Sequence, residues 1–210
     1  MSFICEIKKA SPSKGIIDPV FDYMSIAKEY NEGGADCISC LTEPKWFLGS
    51  DEIFKNVRAI SKIPMLRKDF TIDEYQIYEA KCMGADCVLL ICALLDTKIL
   101  ERYLMICEEL GLSALVETHT EDEIRSAVSA GAYMIGVNSR NLKNFEVDLE
   151  IAKRLRDSVP ADKLFVAESG ISSIDDVRAF SKTGADAVLI GEFLMRAKDR
   201  KALLNEMKNV

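Results

Sequence analysis

The sequence predicts an α/β fold: one domain over residues 1–210 in which eight parallel strands and eight helices alternate and close into a (β/α)8 barrel, the TIM barrel. Three features support this prediction. A glycine followed by a short apolar run recurs at Gly34, Gly84, Gly131 and Gly184. A second apolar run lies beside each of these repeats, and amphipathic segments separate the eight runs.

The repeats combine a helix signal with a strand signal. A helix-like stretch ends on the glycine, which can serve as a left-handed C-cap, and the apolar run after it suits a strand covered on both faces. In chain order the repeats and runs are 3–8, 34–40, 63–68, 84–90, 112–117, 131–137, 164–168 and 184–190. The segments predicted as helices are 21–32, 50–61, 73–83, 95–110, 120–130, 148–158, 173–183 and 195–209.

Local start signals support several of these helices. Thr120 with Glu123 has the pattern of a capping box, and Asp73 or Ser173 can cap its own helix. An open doubly wound sheet is the alternative arrangement of such units. It does not account for a repeat that occurs four times, and the Gly-x-Gly-x-x-Gly dinucleotide fingerprint is missing.

Composition excludes several classes of function. Hydrophobic residues make up 49% and charged residues 29%, the balance of a globular protein. The sequence has no apolar run long enough for a membrane span and no secretory signal pattern at its start, so we expect a cytoplasmic protein without membrane contact. A net charge of −7 with no basic block disfavours nucleic acid as a partner but allows a small anionic ligand. We expect a monomer or a weak homo-oligomer.

The seven cysteines do not indicate a metal site. Cys37 and Cys40 have the C-x-x-C spacing, but no second pair follows, and His119 is the only histidine. Most of the cysteines fall inside apolar runs. We therefore expect small buried side chains in a reducing compartment, and no bound metal.

Charged residues stand at strand ends where apolar residues are expected. Glu6 and Lys8 share a face of the first strand, and Lys68, Glu117 and Glu168 end the third, fifth and seventh strands. Simple pairing at the barrel rim could explain one such charge. Because five converge from four strands at the C-terminal end, where barrel active sites lie, a catalytic cluster is the better explanation. The sixth strand adds polar residues to the same rim, namely Asn138 and Arg140.

Two glycine-containing turns predict a phosphate site. Ser169-Gly170 follows the seventh strand and Gly191-Glu192 follows the eighth, the positions where barrels often bind phosphate through backbone N–H groups and a helix end. Ordinary turn glycines are the alternative. Apolar side chains near the same rim could hold an aromatic ring, although such residues are more often core; they are Phe47, Phe70 and Leu89.

Five motifs together resemble the indole-3-glycerol-phosphate synthase family. They are the segments 6–13, 64–70, 115–117, 136–142 and 167–171, in family order along nearly the whole chain. The resemblance implies ring closure of 1-(2-carboxyphenylamino)-1-deoxyribulose 5-phosphate with loss of carbon dioxide and water, in tryptophan biosynthesis, without cofactor or metal. Family members usually carry a further segment, including a helix over the barrel mouth, before the position that corresponds to Phe3.

The resemblance also implies roles for individual residues. Lys68 would be the general acid and Glu117 would complete the dehydration, while Lys8 would bind substrate and assist proton transfer. Supporting residues would orient these groups or contact substrate: Glu6, Ser11, Asn138, Arg140 and Glu168. The phosphate would meet Ser169, Gly170, Gly191 and Glu192, and the anthranilate ring would meet Phe47, Phe70 and Leu89. We expect burial and a second nearby cation to lower the pKa of Lys68 toward neutrality.

Two other interpretations of the barrel stay open. A phosphoribosylanthranilate isomerase would resemble a barrel with a Cys base and an Asp acid, but Cys5 faces away from Glu6 and no Asp ends the fifth strand. A barrel without its cover could instead bind a phosphorylated ligand and turn over little or none of it.

Overall fold

A computed structural model describes residues 1–140 and 149–210 of the chain. Its barrel strands are β1 (Ser2–Ile7), β2 (Cys37–Leu41), β3 (Met65–Lys68), β4 (Cys87–Ile91), β5 (Ser113–Thr118), β6 (Met134–Asn138), β7 (Leu164–Glu168) and β8 (Ala187–Ile190). Its helices are α1 (Tyr23–Gly33), α2 (Asp51–Ile60), α3 (Tyr75–Cys82), α4 (Thr97–Glu109), α5 (Glu121–Ser129), α6 (Leu149–Arg156), α7 (Ile174–Lys182), α8 (Glu192–Met195) and α9 (Arg200–Lys208).

The strands close into a parallel barrel in which each strand pairs with its neighbours in sequence and β8 pairs with β1. The predicted (β/α)8 fold is therefore confirmed. A short antiparallel hairpin, Ala10–Ser11 with Gly15–Ile16, lies in the loop after β1 and was not predicted. It shapes the loop that follows the charged end of β1.

Side-chain caps explain where several helices start. Ser173 accepts the N–H of Asp176, as predicted, and Thr120 accepts the N–H of Glu123. The carboxylate of Glu123 reaches one residue further back than in a standard capping box, to the N–H of His119 at 2.7 Å. Asp73 accepts the N–H of Tyr75 instead of serving as the N-cap itself.

The predicted helix over 195–209 is found as α9 but begins later than predicted, at Arg200. The chain forms the short α8, leaves helical structure, and restarts at α9. Asp199 causes the restart because its side chain accepts the N–H of Ala202 at 2.8 Å, which satisfies a donor at the new N-terminus.

The core has two layers. Apolar side chains from alternate strand positions fill the barrel, among them Ile4, Leu66 and Leu115, and a larger layer packs the strands against the helices. All seven cysteines are free thiols; most are buried or half-buried, and Cys82 is the exposed exception. In the described part of the chain, no helix has the length and apolar character that a bilayer crossing requires.

At the N-terminal end of the barrel, the sequence repeat forms hydrogen bonds between neighbouring strands. In three of the four repeats an Asp follows the Gly-Ala pair, and its carboxylate accepts a main-chain N–H from the preceding strand at 2.8 Å: Asp36 from Phe3, Asp86 from Met65, and Asp186 from Phe165. The N–H of each Asp donates back to the carbonyl of the same partner. The repeat is therefore a clamp between neighbouring strands.

Candidate active site

A cavity of about 1290 Å³ opens at the C-terminal end of the barrel. Every site residue predicted from the sequence lines it: Glu6, Lys8, Ser11, Phe47, Phe70, Lys68, Leu89, Glu117, Asn138, Arg140, Glu168, Ser169, Gly170, Gly191 and Glu192. Residues distant in the chain meet here because parallel strands end together on one side of the barrel. The roles assigned to these residues stay predictions.

Carboxylates and ammonium groups alternate on the floor of this cavity. Glu6 and Lys8 form an ion pair, as expected for residues two apart after one strand. The Lys68 ammonium lies 3.6 Å from Oε2 of Glu117 and 3.8 Å from Oε2 of Glu168. The three glutamates are at most 3% exposed, so water screens these interactions little.

The expectation that Lys68 has a lowered pKa is wrong. Burial does act to lower the pKa of Lys68, but the carboxylates of Glu117, Glu168 and Glu6 outweigh burial and raise it. Sequence reasoning identified the second cation, Lys8, as an influence on the pKa of Lys68. It could not predict that three carboxylates lie close enough to Lys68 to raise that pKa. Lys68 is therefore held as an ammonium across the physiological pH range.

Two of the carboxylates around these lysines, Glu6 and Glu168, have pKa values shifted in opposite directions. Burial alone would raise the pKa of Glu6, yet the charges of Lys8 and Lys68 lower it. The pKa of Glu168 is raised well above its usual range by burial and by the charge of Glu117. The surroundings thus favour the anionic form of Glu6 and the protonated form of Glu168.

Glu168 occupies space that a glycine leaves open. A Cβ at Gly136, on the neighbouring strand, would collide with Oε1 of Glu168 and would also press on Leu115. Oε1 of Glu168 is buried and has no hydrogen-bond partner among the described residues. Gly136 in the segment 136–142 is therefore explained by packing; Asn141 and Leu142 of that segment lie outside the described residues.

The two loops predicted for phosphate face the cavity, and Gly191 lies next to the Glu6–Lys8 pair. Ser169 and Gly170 both have left-handed backbone conformations, with φ of 68° and 88°. A Cβ at Gly191 would collide with the Glu6 carboxylate and lie 2.8 Å from Nζ of Lys8. The Glu6–Lys8 ion pair thus packs directly against the backbone of Gly191, and a lysine ammonium lies against this loop.

The remaining predicted polar residues form the rim. Oδ1 of Asn138 accepts the backbone N–H of Arg140 at 3.0 Å. The Arg140 guanidinium donates to Oγ of Ser13 at 3.3 Å, and Ser11 and Ser13 exchange a hydrogen bond at 3.4 Å. Glu192 pairs with Arg196, 2.9 Å away. The Arg140–Ser13 bond therefore ties the loops after β1 and β6 together at the mouth, while the Glu192–Arg196 pair lies within the segment after β8.

The apolar wall lies across the cavity on the loops after β2 and β3. The rings of Phe47 and Phe70 have centroids 6.2 Å apart, and Leu89 is buried beneath the mouth. Phe70 is 40% exposed, which is unusual for a core phenylalanine and fits a wall that faces an open cavity.

Sequence reasoning missed two buried charged residues on the segments that carry this wall, and Glu43 orders one of these loops. The Glu43 carboxylate accepts three backbone N–H groups, from Lys45, Trp46 and Phe47, at 2.7–2.9 Å. Arg67, 5% exposed, points away from the cavity and pairs with Glu79 at 2.7 Å. Arg67 could have been found from the sequence, because an arginine inside an apolar strand is unusual. Glu43 lies in a loop, where a charged residue is ordinary, and no sequence pattern marks it. Sequence reasoning also missed other residues that line the cavity: Ser13, Lys14, Trp46, Asp69, Leu94 and Arg196.

Comparison with known proteins decides the family. A family model described as indole-3-glycerol phosphate synthase matches residues 1–207. The chain belongs to the indole-3-glycerol phosphate synthase family. A relative of that name from Ruminiclostridium cellulolyticum is 58% identical over 208 residues, which are 99% of this chain and 80% of the relative. Another, from Lachnoclostridium phytofermentans, is 51% identical over 210 residues, 100% of this chain and 78% of the relative.

Solved structures show the same fold at much lower identity. 3-Hexulose-6-phosphate synthase from Salmonella typhimurium has a TM-score of 0.78 at 14% identity and covers 100% of this chain and 97% of its own. KGPDC from Streptococcus mutans has a TM-score of 0.73 at 15% identity, over 99% of this chain and 95% of its own. These likenesses concern the barrel alone.

Family membership is consistent with the arrangement of the cavity. Cys5, the residue an isomerase-type site would need, packs in the outer core between strands and helices. The neighbouring Glu6 faces the cavity instead. Within this indole-3-glycerol phosphate synthase family member, the end of β1 thus contributes a carboxylate and an ammonium to the cavity and keeps its thiol away from it.

Proposed function

We propose that this protein catalyses the indole-forming step of tryptophan biosynthesis. The substrate would be 1-(2-carboxyphenylamino)-1-deoxyribulose 5-phosphate and the products indole-3-glycerol phosphate, carbon dioxide and water. Family membership and the names of the relatives support the reaction class, a decarboxylating lyase. The observation that carries the assignment to this cavity is the Lys68 ammonium, held between two buried glutamates and facing both an aromatic wall and a candidate phosphate site.

The proposed substrate matches the two sides of the cavity. Its anthranilate ring would lie against Phe47, Phe70 and Leu89, which remove apolar surface from water. Its phosphate would meet the backbone of Ser169–Gly170 and Gly191, where close approach is possible. The ammonium of Lys8 would supply positive charge, and Ser11, Arg140 and Glu192 would complete the rim around the extended chain of the substrate.

Ring closure needs a proton donor at the ketone oxygen. A bond forms between the ring carbon that bears the carboxylate and the ketone carbon, while the ketone oxygen gains negative charge. Lys68 would stabilise that charge and donate the proton. Its raised pKa keeps the donor loaded, and a fixed ammonium in a water-poor site stabilises a developing oxyanion strongly.

The later steps release carbon dioxide and water. Carbon dioxide leaves from the ring carbon and its bonding electrons are retained by the ring system. The hydroxyl formed from the ketone then departs as water, and a proton must leave for the indole to become aromatic. Glu117 would handle that proton transfer, with Lys8 assisting and Glu6, Asn138 and Glu168 orienting the partners.

An assay of product formation tests the proposal. The wild-type chain is incubated with the ribulose 5-phosphate substrate and the rise of indole fluorescence is followed. We expect turnover in the wild type and a fall in kcat of about 10²–10⁴ in Glu117→Gln. Glu121→Gln is the control, because it alters an exposed carboxylate of α5 outside the cavity, and it should keep wild-type turnover. A folded wild-type chain that forms no indole product rejects the proposal.

A further inference from the structure

His119, the only histidine in the chain, lies directly behind the cavity. It follows β5, and its side chain is 15% exposed. Nε2 of the ring lies 3.5 Å from Oε1 of Glu117, and Nδ1 lies 3.4 Å from Oε2 of Glu123 at the start of α5. The ring is not among the described residues that line the cavity, so it can reach the site only through Glu117.

This position divides the two oxygens of Glu117 between two nitrogen-bearing partners. Oε2 faces the ammonium of Lys68 at 3.6 Å, and Oε1 faces the imidazole of His119. A carboxylate held at both oxygens has one orientation, whereas one held at a single oxygen can rotate. The imidazole is therefore placed to set the direction in which Glu117 points.

Protonation decides whether the imidazole can hold both neighbours. Neither ring nitrogen meets hydrogen-bond geometry with any described residue, although both are buried and both face a carboxylate. A neutral imidazole carries one N–H, and an imidazolium carries two. Only the charged ring can donate to Glu117 and Glu123 at once.

The charges around the ring favour the imidazolium form of His119. Burial acts to lower the pKa of His119, but Glu123 and Glu117 outweigh burial and raise it, against a smaller opposing influence of Lys68. Among the described residues, Cys92 is a further titratable group beside Glu123; its thiol lies 3.6 Å from the carbonyl of Glu123, and burial raises its pKa to about 12. Cys92 is therefore neutral wherever His119 titrates.

We propose that His119 is a positioning residue: as an imidazolium it bridges Glu117 and Glu123 and holds the Glu117 carboxylate toward Lys68 and the substrate. The catalytic consequence rests on the proposed function, while the bridge itself does not. When pH rises and the ring loses its charge, one carboxylate loses its donor, Glu117 gains freedom to rotate, and kcat falls.

The bridge is tested without any activity measurement. Because the chain has one histidine, an NMR titration of its ring protons reports His119 alone. We expect an apparent pKa above the usual value of about 6.5 in the wild type, and a lower one in both Glu117→Gln and Glu123→Gln. Asp176→Asn is the matched control, because Asp176 caps α7 as Glu123 caps α5, accepting the N–H of Ser172 at 2.9 Å. A titration that is unchanged in Glu117→Gln overturns the bridge.

The catalytic part is tested by pH profiles of kcat. We expect the wild type to lose activity as His119 loses its proton, and Glu123→Gln to show the same loss at lower pH. In His119→Gln, whose amide cannot titrate, that ionisation should vanish and kcat should fall about 10- to 100-fold with a smaller change in KM. An unaltered profile in a folded His119→Gln overturns the positioning role.

The two failures are distinguishable. A wild type that forms no indole product while its titration responds to Glu117→Gln rejects the proposed function and retains the bridge. Turnover in the wild type with a titration indifferent to Glu117→Gln rejects the bridge and retains the proposed function.

Discussion

The two ends of this barrel use carboxylates in opposite ways. At the N-terminal end Asp36, Asp86 and Asp186 are exposed, and each accepts a main-chain N–H at 2.8 Å. At the C-terminal end Glu117 and Glu168 are at most 3% exposed and face the Lys68 ammonium at 3.6–3.8 Å. Carboxylates at one end satisfy backbone donors, and those at the other end stay buried, close together and imperfectly paired.

The difference separates stability from chemistry. A hydrogen bond from a strand N–H to an exposed Asp contributes a modest, purely structural stabilisation. Burying several like charges around one ammonium perturbs the proton affinities of Lys68 and Glu168, which is useful for proton transfer and costly for folding. Changes at the C-terminal end should therefore alter catalysis, and changes at the N-terminal end should alter only the free energy of unfolding.

The largest expected effect is at Lys68. Lys68→Met removes the proposed acid but keeps a side chain of similar length, and we expect kcat for indole formation to fall by about 10²–10⁴. Circular dichroism at the assay temperature verifies that the variant is folded. Retention of more than a tenth of wild-type kcat would break the comparison, because the buried ammonium would then be structural.

At the opposite end, Asp186→Ala should act on stability alone. It leaves the N–H of Phe165 without its carboxylate partner, and we expect the free energy of unfolding to drop by about 1–2 kcal/mol. Asp186→Asn, whose amide oxygen still accepts, should lose less. Urea unfolding measures the drop, and a fall in the kcat of the folded fraction would show that the two ends are coupled.

Glu168 connects stability to pH. Its pKa is raised in the folded protein from an ordinary value of 4.5, so the folded state holds the proton over a range in which the unfolded chain has released it. This group therefore stabilises the fold at low pH, and that contribution is lost as pH rises. Glu168→Gln removes the loss, and we expect its free energy of unfolding, relative to wild type, to grow by at least about 1 kcal/mol between pH 4 and pH 8. Parallel stability curves for the two proteins would argue that Glu168 is ionised.

The smallest expected effect is a gain in the free energy of unfolding from a substitution at Tyr133, at the N-terminal end of the barrel. The repeat at Gly131 carries Tyr133, 62% exposed, where the others carry Asp. The register of β5 and β6 places Ala114 opposite Tyr133, in the place of the clamped residue. Tyr133→Asp should complete the set and raise the free energy of unfolding by about 0.5–1 kcal/mol. A loss of stability would mean that the clamp depends on more than the Asp.

The sequence alone predicts the barrel and most of the charged residues at its C-terminal end. The alternation of apolar runs and amphipathic segments predicts the barrel, and charges at apolar strand ends predict Glu6, Lys68, Glu117 and Glu168 at one rim, because strand direction alone brings them together. The pKa of Lys68 could not be predicted, since its direction depends on distances to three carboxylates from other strands.

Other features depend on contacts that leave little trace in the chain. The Asp of three repeats looks like a strand-start residue until its partner N–H is known. Glu43 shows no pattern, although it orders the loop that carries Phe47. The break between α8 and α9 depends on one cap at Asp199, which periodicity over 195–209 does not reveal.

A crystal structure with indole-3-glycerol phosphate bound would test the central claim most directly, namely that Lys8, Lys68 and Glu117 serve one anionic molecule. The account predicts the phosphate against Ser169–Gly170 and Gly191, the indole ring beside Phe47 and Phe70, and Lys68 and Glu117 within hydrogen-bonding distance of the ligand. A ligand bound elsewhere, or one that leaves Lys68 and Glu117 out of contact, would contradict it.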